Sequence, residues 1–197
     1  KNPHLFPYKE FQRFKHHPFI YKLLEGGKRI EYGARAISEG GIQSLPKLSF
    51  PGGVLIGCSA GFVNVPRIKG NHNAILSGIA AAESANSALS NGRSNDSLEE
   101  YEDKIVNGLV FKDLSPVKNV KPLWSRLGLF LGIILGTIDM WFAYIIGKNL
   151  FGTLKHKYSD HKSLEKASKS KIINYPKADG KISFERLDNV SFSGTSH

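Results

Sequence analysis

A mixed α/β chain carrying one membrane-embedded helix is the fold class the sequence predicts, on three observations. Residues 53–57, GVLIG, are a short apolar run bounded by glycines that leads through a small-residue turn into an alanine-rich stretch. That is the pattern of a buried parallel-sheet strand feeding a helix. Residues 127–146, LGLFLGIILGTIDMWFAYII, hold twenty positions with a single formal charge, Asp139. Residues 148–171 carry seven lysines against Asp160 and Glu165, a density suited to anionic headgroups beside such a helix.

Bulk properties narrow the classes. At 197 residues and 41% hydrophobic content the chain is long enough for one substantial domain or two small ones, and apolar enough to exclude a largely disordered polymer. Its one cysteine, Cys58, forms no intrachain disulfide and cannot supply the four thiolates of a protein-held iron-sulfur cluster. That usage fits a reducing compartment. The 27 basic residues outnumber 17 acids, for a formal charge of +10, which calls for an anionic partner: nucleic acid, phospholipid or an acidic protein. A nucleic acid leaves residues 127–146 unexplained, whereas a membrane surface accounts for the charge and the apolar run together, so no nucleic acid is expected. The chain opens at Lys1 without a leader pattern and closes on SGTSH without an obvious final element, and is expected to be a piece of something longer.

In chain order, the aromatic and basic opening predicts a helix over 8–16, stopped before Pro18, and a second short helix ending at Gly26-Gly27. A glycine-rich stretch follows over 26–41. After the strand at 53–57 an irregular loop runs to Gly70, and Asn71-His72-Asn73 opens a helix to about residue 89 with Ala74, Ile75, Ile79 and Ala82 as its buried face. The polar stretch 84–99 reads as a surface connection and 98–109 as a helix. Residues 173–194 read as turn, strand and turn, with 181–184 alternating, and are expected to pack on a domain mostly outside the chain.

Residues 127–146 could cross about 30 Å of hydrocarbon as a helix, or lie partly sunk in one leaflet. At about 100° per residue, Gly128, Gly132, Gly136 and Asp139 share one face and Ile133, Ile134, Ile138, Met140, Trp141, Tyr144 and Ile145 cover the other. One side then suits lipid, and the other allows close backbone packing with the carboxylate shielded by protein. Trp124, Trp141 and Tyr144 have the character of interfacial anchors, with Arg126 and Lys148 flanking.

The candidate cofactor site is the strand, turn and helix of residues 52–83. A small-residue turn lets a cofactor approach the backbone closely, and a helix N-terminus at Asn71 offers free N–H groups and the positive end of a dipole to a flavin ring or a phosphate. An ordinary strand–helix connection carries the same residues. His16, His17, His156 and His161 lack ligand spacing, so no metal is assigned within the chain. Cys58 has neither a Cys-X-X-Cys pair nor a neighbouring base, and reads as a small residue beside the cofactor.

Residues 52–83 also resemble the second flavin motif of the glutathione-reductase-type FAD fold, in which a Gly-Asp pair follows the strand and the Asp binds the ribityl chain. Cys58 stands where that Asp would be. The form LIGCSAGFVNVPRIKG is similar to that of electron transfer flavoprotein-ubiquinone oxidoreductases, and so are FQRFKHHP, LEGGKRIEYGARA, EGGIQSLPKL, TLKHKYSDH, YPKADGKISF and SGTSH. The resemblance covers nearly all of the chain apart from about 85–97. It implies the distal half of an FAD-binding fold plus a quinone-domain portion with a membrane-embedded helix. Residues 1–48 would be quinone-domain chain returning to the FAD domain, 49–110 the C-terminal part of that domain, 111–150 the membrane-inserting segment and 151–197 a basic tail.

The implied activity takes electrons from reduced electron transfer flavoprotein, through FAD and a 4Fe-4S cluster, to ubiquinone at the matrix side of the mitochondrial inner membrane. No catalytic nucleophile is required. Gly57, Cys58, Ser59, Gly61, Gly70, Asn71, His72 and Asn73 are the expected FAD contacts. Gly128, Gly132, Gly136, Asp139, Trp141 and Tyr144 are the expected membrane and quinone region, inserted in one leaflet against membrane lipid with anionic headgroups, and 26–41 would line the approach between flavin and quinone. The dinucleotide loop would precede Lys1 and the cluster ligands follow His197. The alternatives are another membrane-associated FAD reductase or monooxygenase, and a non-enzymatic single-pass membrane protein.

Overall fold

A computed structural model describes residues 2–34 and 36–194. By contact the chain divides into two units, Lys1–Arg35 with Ser159–His197, and Ala36–Tyr158.

In the first unit, helices α1 (Pro7–Phe14) and α2 (Pro18–Leu24) each begin on a proline, whose fixed φ suits the first helical turn and whose missing N–H costs nothing there. Helix α1 turns Gln12 inward, and its Oε1 accepts the Phe184 N–H at 3.0 Å. The Tyr8 hydroxyl donates to Phe184 O at 2.7 Å and accepts from Asn189 Nδ2. The closing residues therefore pack on α1 of this same chain. The expected strand at 181–184 is corrected: Asp179 Oδ1 accepts the N–H groups of Lys181, Ile182 and Ser183, each at 2.9 Å. Donors taken by a carboxylate are not offered to a strand partner, and a short helix over Arg186–Val190 follows.

In the second unit a 3-10 turn (Ile42–Ser44) precedes β1 (Ser49–Phe50) and β2 (Gly53–Val54), which pair antiparallel with Ser49 opposite Val54 and Phe50 opposite Gly53. The buried parallel strand expected over 53–57 is thus replaced by half of a minimal hairpin. Pro51 and Gly52, the latter at φ +79°, turn the chain onto its own neighbour, whereas a parallel partner needs a crossover of about a dozen residues. The described residues contain no parallel pairing. Ile56 is exposed, and Gly57 already starts helix α3 (Gly57–Ala60).

Helix α4 (Asn71–Ser90) opens where the sequence predicts, but it buries Asn73, Ser77, Ser84 and Ala88. Ile75 and Ile79, expected inside, are 64% and 52% exposed. Small side chains face inward because neighbouring backbone comes close: Ser77 Oγ accepts the Gly57 N–H at 3.0 Å. The helix continues to Ser90, so the surface connection is 91–98 and not 84–99. The helix expected over 98–109 is two, α5 (Glu99–Val106) and α6 (Leu109–Leu114). A Cβ at the intervening Gly108 would lie 2.2 Å from Lys104 O, so the break accepts no side chain. Leu48, Ala60, Phe62, Tyr101, Ile105, Val110 and Leu114 form the core, and the Tyr101 hydroxyl donates to Leu55 O at 2.7 Å.

Helix α7 (Val120–Ile146) is long and apolar enough to cross a membrane by length and composition. It is not straight. Gly128 sits at φ +76°, ψ −174°, and a Cβ on Gly132 would lie 2.7 Å from Trp124 Cα. Residues eight apart in a straight helix are separated by about 12 Å. A Cβ on Gly136 would meet Val120 Cα at 3.6 Å, so residues 129–146 fold back antiparallel on 120–127. Gly132, Gly136 and Asp139 share the buried face the sequence predicts, while Gly128 leaves that face to make the reversal.

Asp139 closes the hairpin. It is 1% exposed, and its Oδ2 accepts from Asn119 Nδ2 at 3.0 Å and Asn149 Nδ2 at 2.7 Å, while Oδ1 accepts the Phe151 N–H at 3.0 Å. Asn119 also donates to Gly152 O and accepts the Leu154 N–H, both at 2.9 Å. Replacing Asp139 by Ala removes the acceptor of the Phe151 N–H and of one N–H on each of the two asparagine amides, and is expected to lower stability by about 3 kcal/mol. Thermal unfolding and limited proteolysis in detergent check this, and a wild-type melting temperature would refute it.

Candidate functional site

Three segments of the second unit converge at the first turn of α4. Gly57 is buried at φ +54°, and a Cβ there would lie 2.9 Å from Ala74 Cβ. A Cβ on Gly70 would lie 3.2 Å from Cys58 Sγ, so Gly57, Cys58 and Gly70 meet where the helix begins. Gly61, at φ +89°, ends α3 and turns the chain into the loop, and Ser59 is exposed beside it.

Gly70 provides no side-chain cap, and the N–H groups of Asn71, His72 and Asn73 take no acceptor among the described residues. Open donors at the positive end of a twenty-residue helix suit an anion. The Cβ positions of Gly57 and Gly70 point at Ala74 and Cys58, so these glycines let the turn pack closely on the start of the helix. Asn73 Oδ1 is buried without a donor among the described residues, which leaves one acceptor for a hydroxyl group.

The side chains of His72 and Asn73 have another partner, one that sequence reasoning missed. Asp113 Oδ2 lies 2.9 Å from His72 Nε2 and accepts from Asn73 Nδ2 and Asn64 Nδ2, each at 3.0 Å. Its Oδ1 accepts from Arg67 Nη1 at 3.2 Å. Burial pushes the Asp113 carboxyl up, but the hydrogen bonds from Asn64, His72 and Asn73 outweigh it and hold the group below its ordinary value. The available signal was a lone acid inside the apolar hexamer LVFKDL; nothing in sequence spacing links it to residues 40 or more positions earlier.

The expected membrane and quinone residues separate into two groups. Gly128, Gly132, Gly136 and Asp139 build the hairpin inside the protein. Trp141, 58% exposed, and Tyr144 lie on its outer face with their ring centroids 6.3 Å apart, alongside exposed Phe130, Ile134 and Ile145. Met140, expected outside with them, is half-buried. The Arg67 guanidinium lies 5.8 Å from the Tyr144 ring centroid. In the first unit, an open groove of about 600 Å³ is lined by Tyr21, Leu24, Arg29, Ile182, Phe184 and Phe192, among others. There the Arg29 guanidinium lies 3.7 Å from the Phe184 ring centroid and 3.9 Å from that of Phe192.

Comparison with known proteins adds relatives to this geometry. Residues 1–37 match the family model described as "ETF-QO, ubiquinone-binding". The whole chain is 50% identical over 203 aligned residues to the mitochondrial electron transfer flavoprotein-ubiquinone oxidoreductase of Homo sapiens, of which it covers 32%. It is 46% identical over 217 residues to the probable mitochondrial enzyme of that name in Saccharomyces cerevisiae, covering 34%, and 47% identical over 199 residues to that of Schizosaccharomyces pombe, covering 31%. The chain therefore spans about a third of the length of the curated relatives it matches.

The depressed Asp113 value fixes the sign of an acid effect. A carboxylate whose folded value lies below its unfolded one contributes stability above the ordinary value of 3.8, and that contribution is lost as pH falls through the folded value. The stability gap between wild type and Asp113→Asn is expected to shrink below about pH 4. Urea unfolding at a series of pH values measures it, and a gap constant with pH would exclude the ionised carboxylate as its source.

Proposed function

We propose that this chain is a contiguous third of an electron transfer flavoprotein-ubiquinone oxidoreductase, in which reduced electron transfer flavoprotein gives up electrons and ubiquinone receives them at the matrix side of the mitochondrial inner membrane. Identity sustained along all of the chain carries this reading, and the ubiquinone-binding match over residues 1–37 supports it. FAD and a 4Fe-4S cluster are the carriers the reading requires. The cluster ligands lie outside this chain, whose single cysteine is half-buried against Gly70.

When bound, FAD would supply a centre that can take up and pass on electrons one or two at a time. The protein's part is binding and electrostatics. Gly57, Cys58, Ser59, Gly61 and Gly70 shape a turn that a nucleotide can approach closely, and the N–H groups of Asn71, His72 and Asn73 hold its negative charge at the helix end. A thiol at Cys58 is a weaker hydrogen-bond partner than the carboxylate of the wider fold, which leaves the helix terminus as the main electrostatic contact. In the first unit the aromatic groove beside Arg29 is the proposed contribution of residues 1–37 to quinone contact.

Membrane contact is assigned to the outer face of residues 129–146, inserted in one leaflet. The opposite face is covered by residues 119–124 through Gly132, Gly136 and Asp139. A complete span would carry that covering segment and the polar groups around Asp139 into hydrocarbon, which is costly. Exposed Lys148, Lys155 and Lys157 follow the helix and suit anionic headgroups.

A visible spectrum of the full-length protein tests the electron path. Flavin bands that bleach with reduced electron transfer flavoprotein and recover with a soluble quinone analogue are the expected result, and a colourless protein would overturn it. Membrane contact is tested by flotation with anionic vesicles: Phe130→Asp with Ile134→Asp is expected to reduce binding at least tenfold, and retained binding would place the contact elsewhere. Protease added outside sealed vesicles should reach both flanks of the helix; protection of one flank would restore a full span.

A further inference from the structure

We propose that Asp113 is a positioning residue for the cofactor, holding the loop 64–70 and the first turn of α4 so that the N–H groups of residues 71–73 stay aimed at the bound nucleotide. The inference rests on the FAD reading given above.

Four side chains converge on this one carboxylate: Asn64 and Arg67 from the loop, His72 and Asn73 from the first helical turn. Apart from them, the loop is tied by a single antiparallel bridge between Asn64 and Lys69 and by the Arg67 N–H to Asn64 Oδ1 at 3.4 Å and the Ile68 N–H to Val65 O at 3.0 Å. These contacts hold the loop to itself; beyond it, Asn64 Nδ2 also reaches the backbone O of Asp113 at 3.3 Å and the Ala74 N–H donates to Gly70 O at 2.8 Å. Asn73, fully buried, joins the helix to Phe62 O at 3.2 Å and to Asp113 with the same amide nitrogen.

Asp113 stands on α6, which packs on α4 and whose Leu114 belongs to the core. The carboxylate is therefore anchored to the rigid part of the unit and reaches the irregular part. Donors that face a nucleotide must be held to within about half an ångström, and a supporting layer of hydrogen bonds to a rigid element does that. Arg67 extends the cluster to Tyr144 on the outer face of α7, so the loop is bounded by core helices on one side and by the membrane-facing helix on the other.

The test uses full-length protein stripped of flavin and reconstituted with FAD, followed by flavin fluorescence and by visible circular dichroism at saturating FAD. Asp113→Ala is expected to raise the FAD dissociation constant about tenfold and to alter the flavin dichroism, with faster amide exchange at residues 71–74, while Asp113→Glu restores most of both. The isosteric Asp113→Asn carries the test if the alanine variant does not fold. Affinity within twofold of wild type with unchanged dichroism would overturn the proposal even if the melting temperature fell, because a purely structural role predicts that pattern. Wild-type apoprotein that takes up no FAD would overturn the underlying reading, and this inference with it; wild type that binds while the variants bind equally well would overturn the inference alone.

Discussion

The second unit depends on one buried carboxylate. Asp139 lies in the most apolar stretch of the chain and is 1% exposed, yet every contact it makes is to an amide donor. An unpaired charge in that position would be prohibitive; one that gathers three donors from segments 20 positions before and 10 and 12 after it ties a long helix to the protein at both ends. The reversal at Gly128 and the backbone contacts at Gly132 and Gly136 follow, since the two arms can close only where no side chain intervenes. One face is sealed and the other is left predominantly apolar.

Asp113 plays a matching part in the same unit. It is also a carboxylate supplied by a helix and satisfied by asparagine amides, and it organises the loop that leads into α4. Small residues are required around the start of α4: Gly57 against Ala74, Gly70 against Cys58, and Ser77 under the Gly57 N–H. The result is an open helix terminus on one side and an apolar helix face on the other.

Much of this was legible from residue order. Prolines and glycines marked α1, α2 and the break before Asn71 because those residues restrict or free φ locally. The face carrying Gly132, Gly136 and Asp139 followed from helical periodicity alone. The buried face of α4 did not: isoleucine is usually the inward residue, and here closely approaching backbone put Ser77 and Asn73 there instead. The strand at 53–57 was misread because a parallel strand and a hairpin arm share an apolar composition, and only pairing across Pro51-Gly52 separates them.

Residue order by itself determined where helices start, which run is apolar, where the single carboxylate sits within it, and a resemblance carried by whole strings of residues. These are local properties, set by backbone sterics and side-chain chemistry within a turn or two. Tertiary structure decided that the apolar helix doubles back, that Asp139 bonds to Asn119 and Asn149, and that Asp113 gathers His72 and Asn73 from 41 and 40 positions away. Hydrogen bonds between distant segments leave no period or spacing in a sequence, because the partners are selected by the packed core that brings them together.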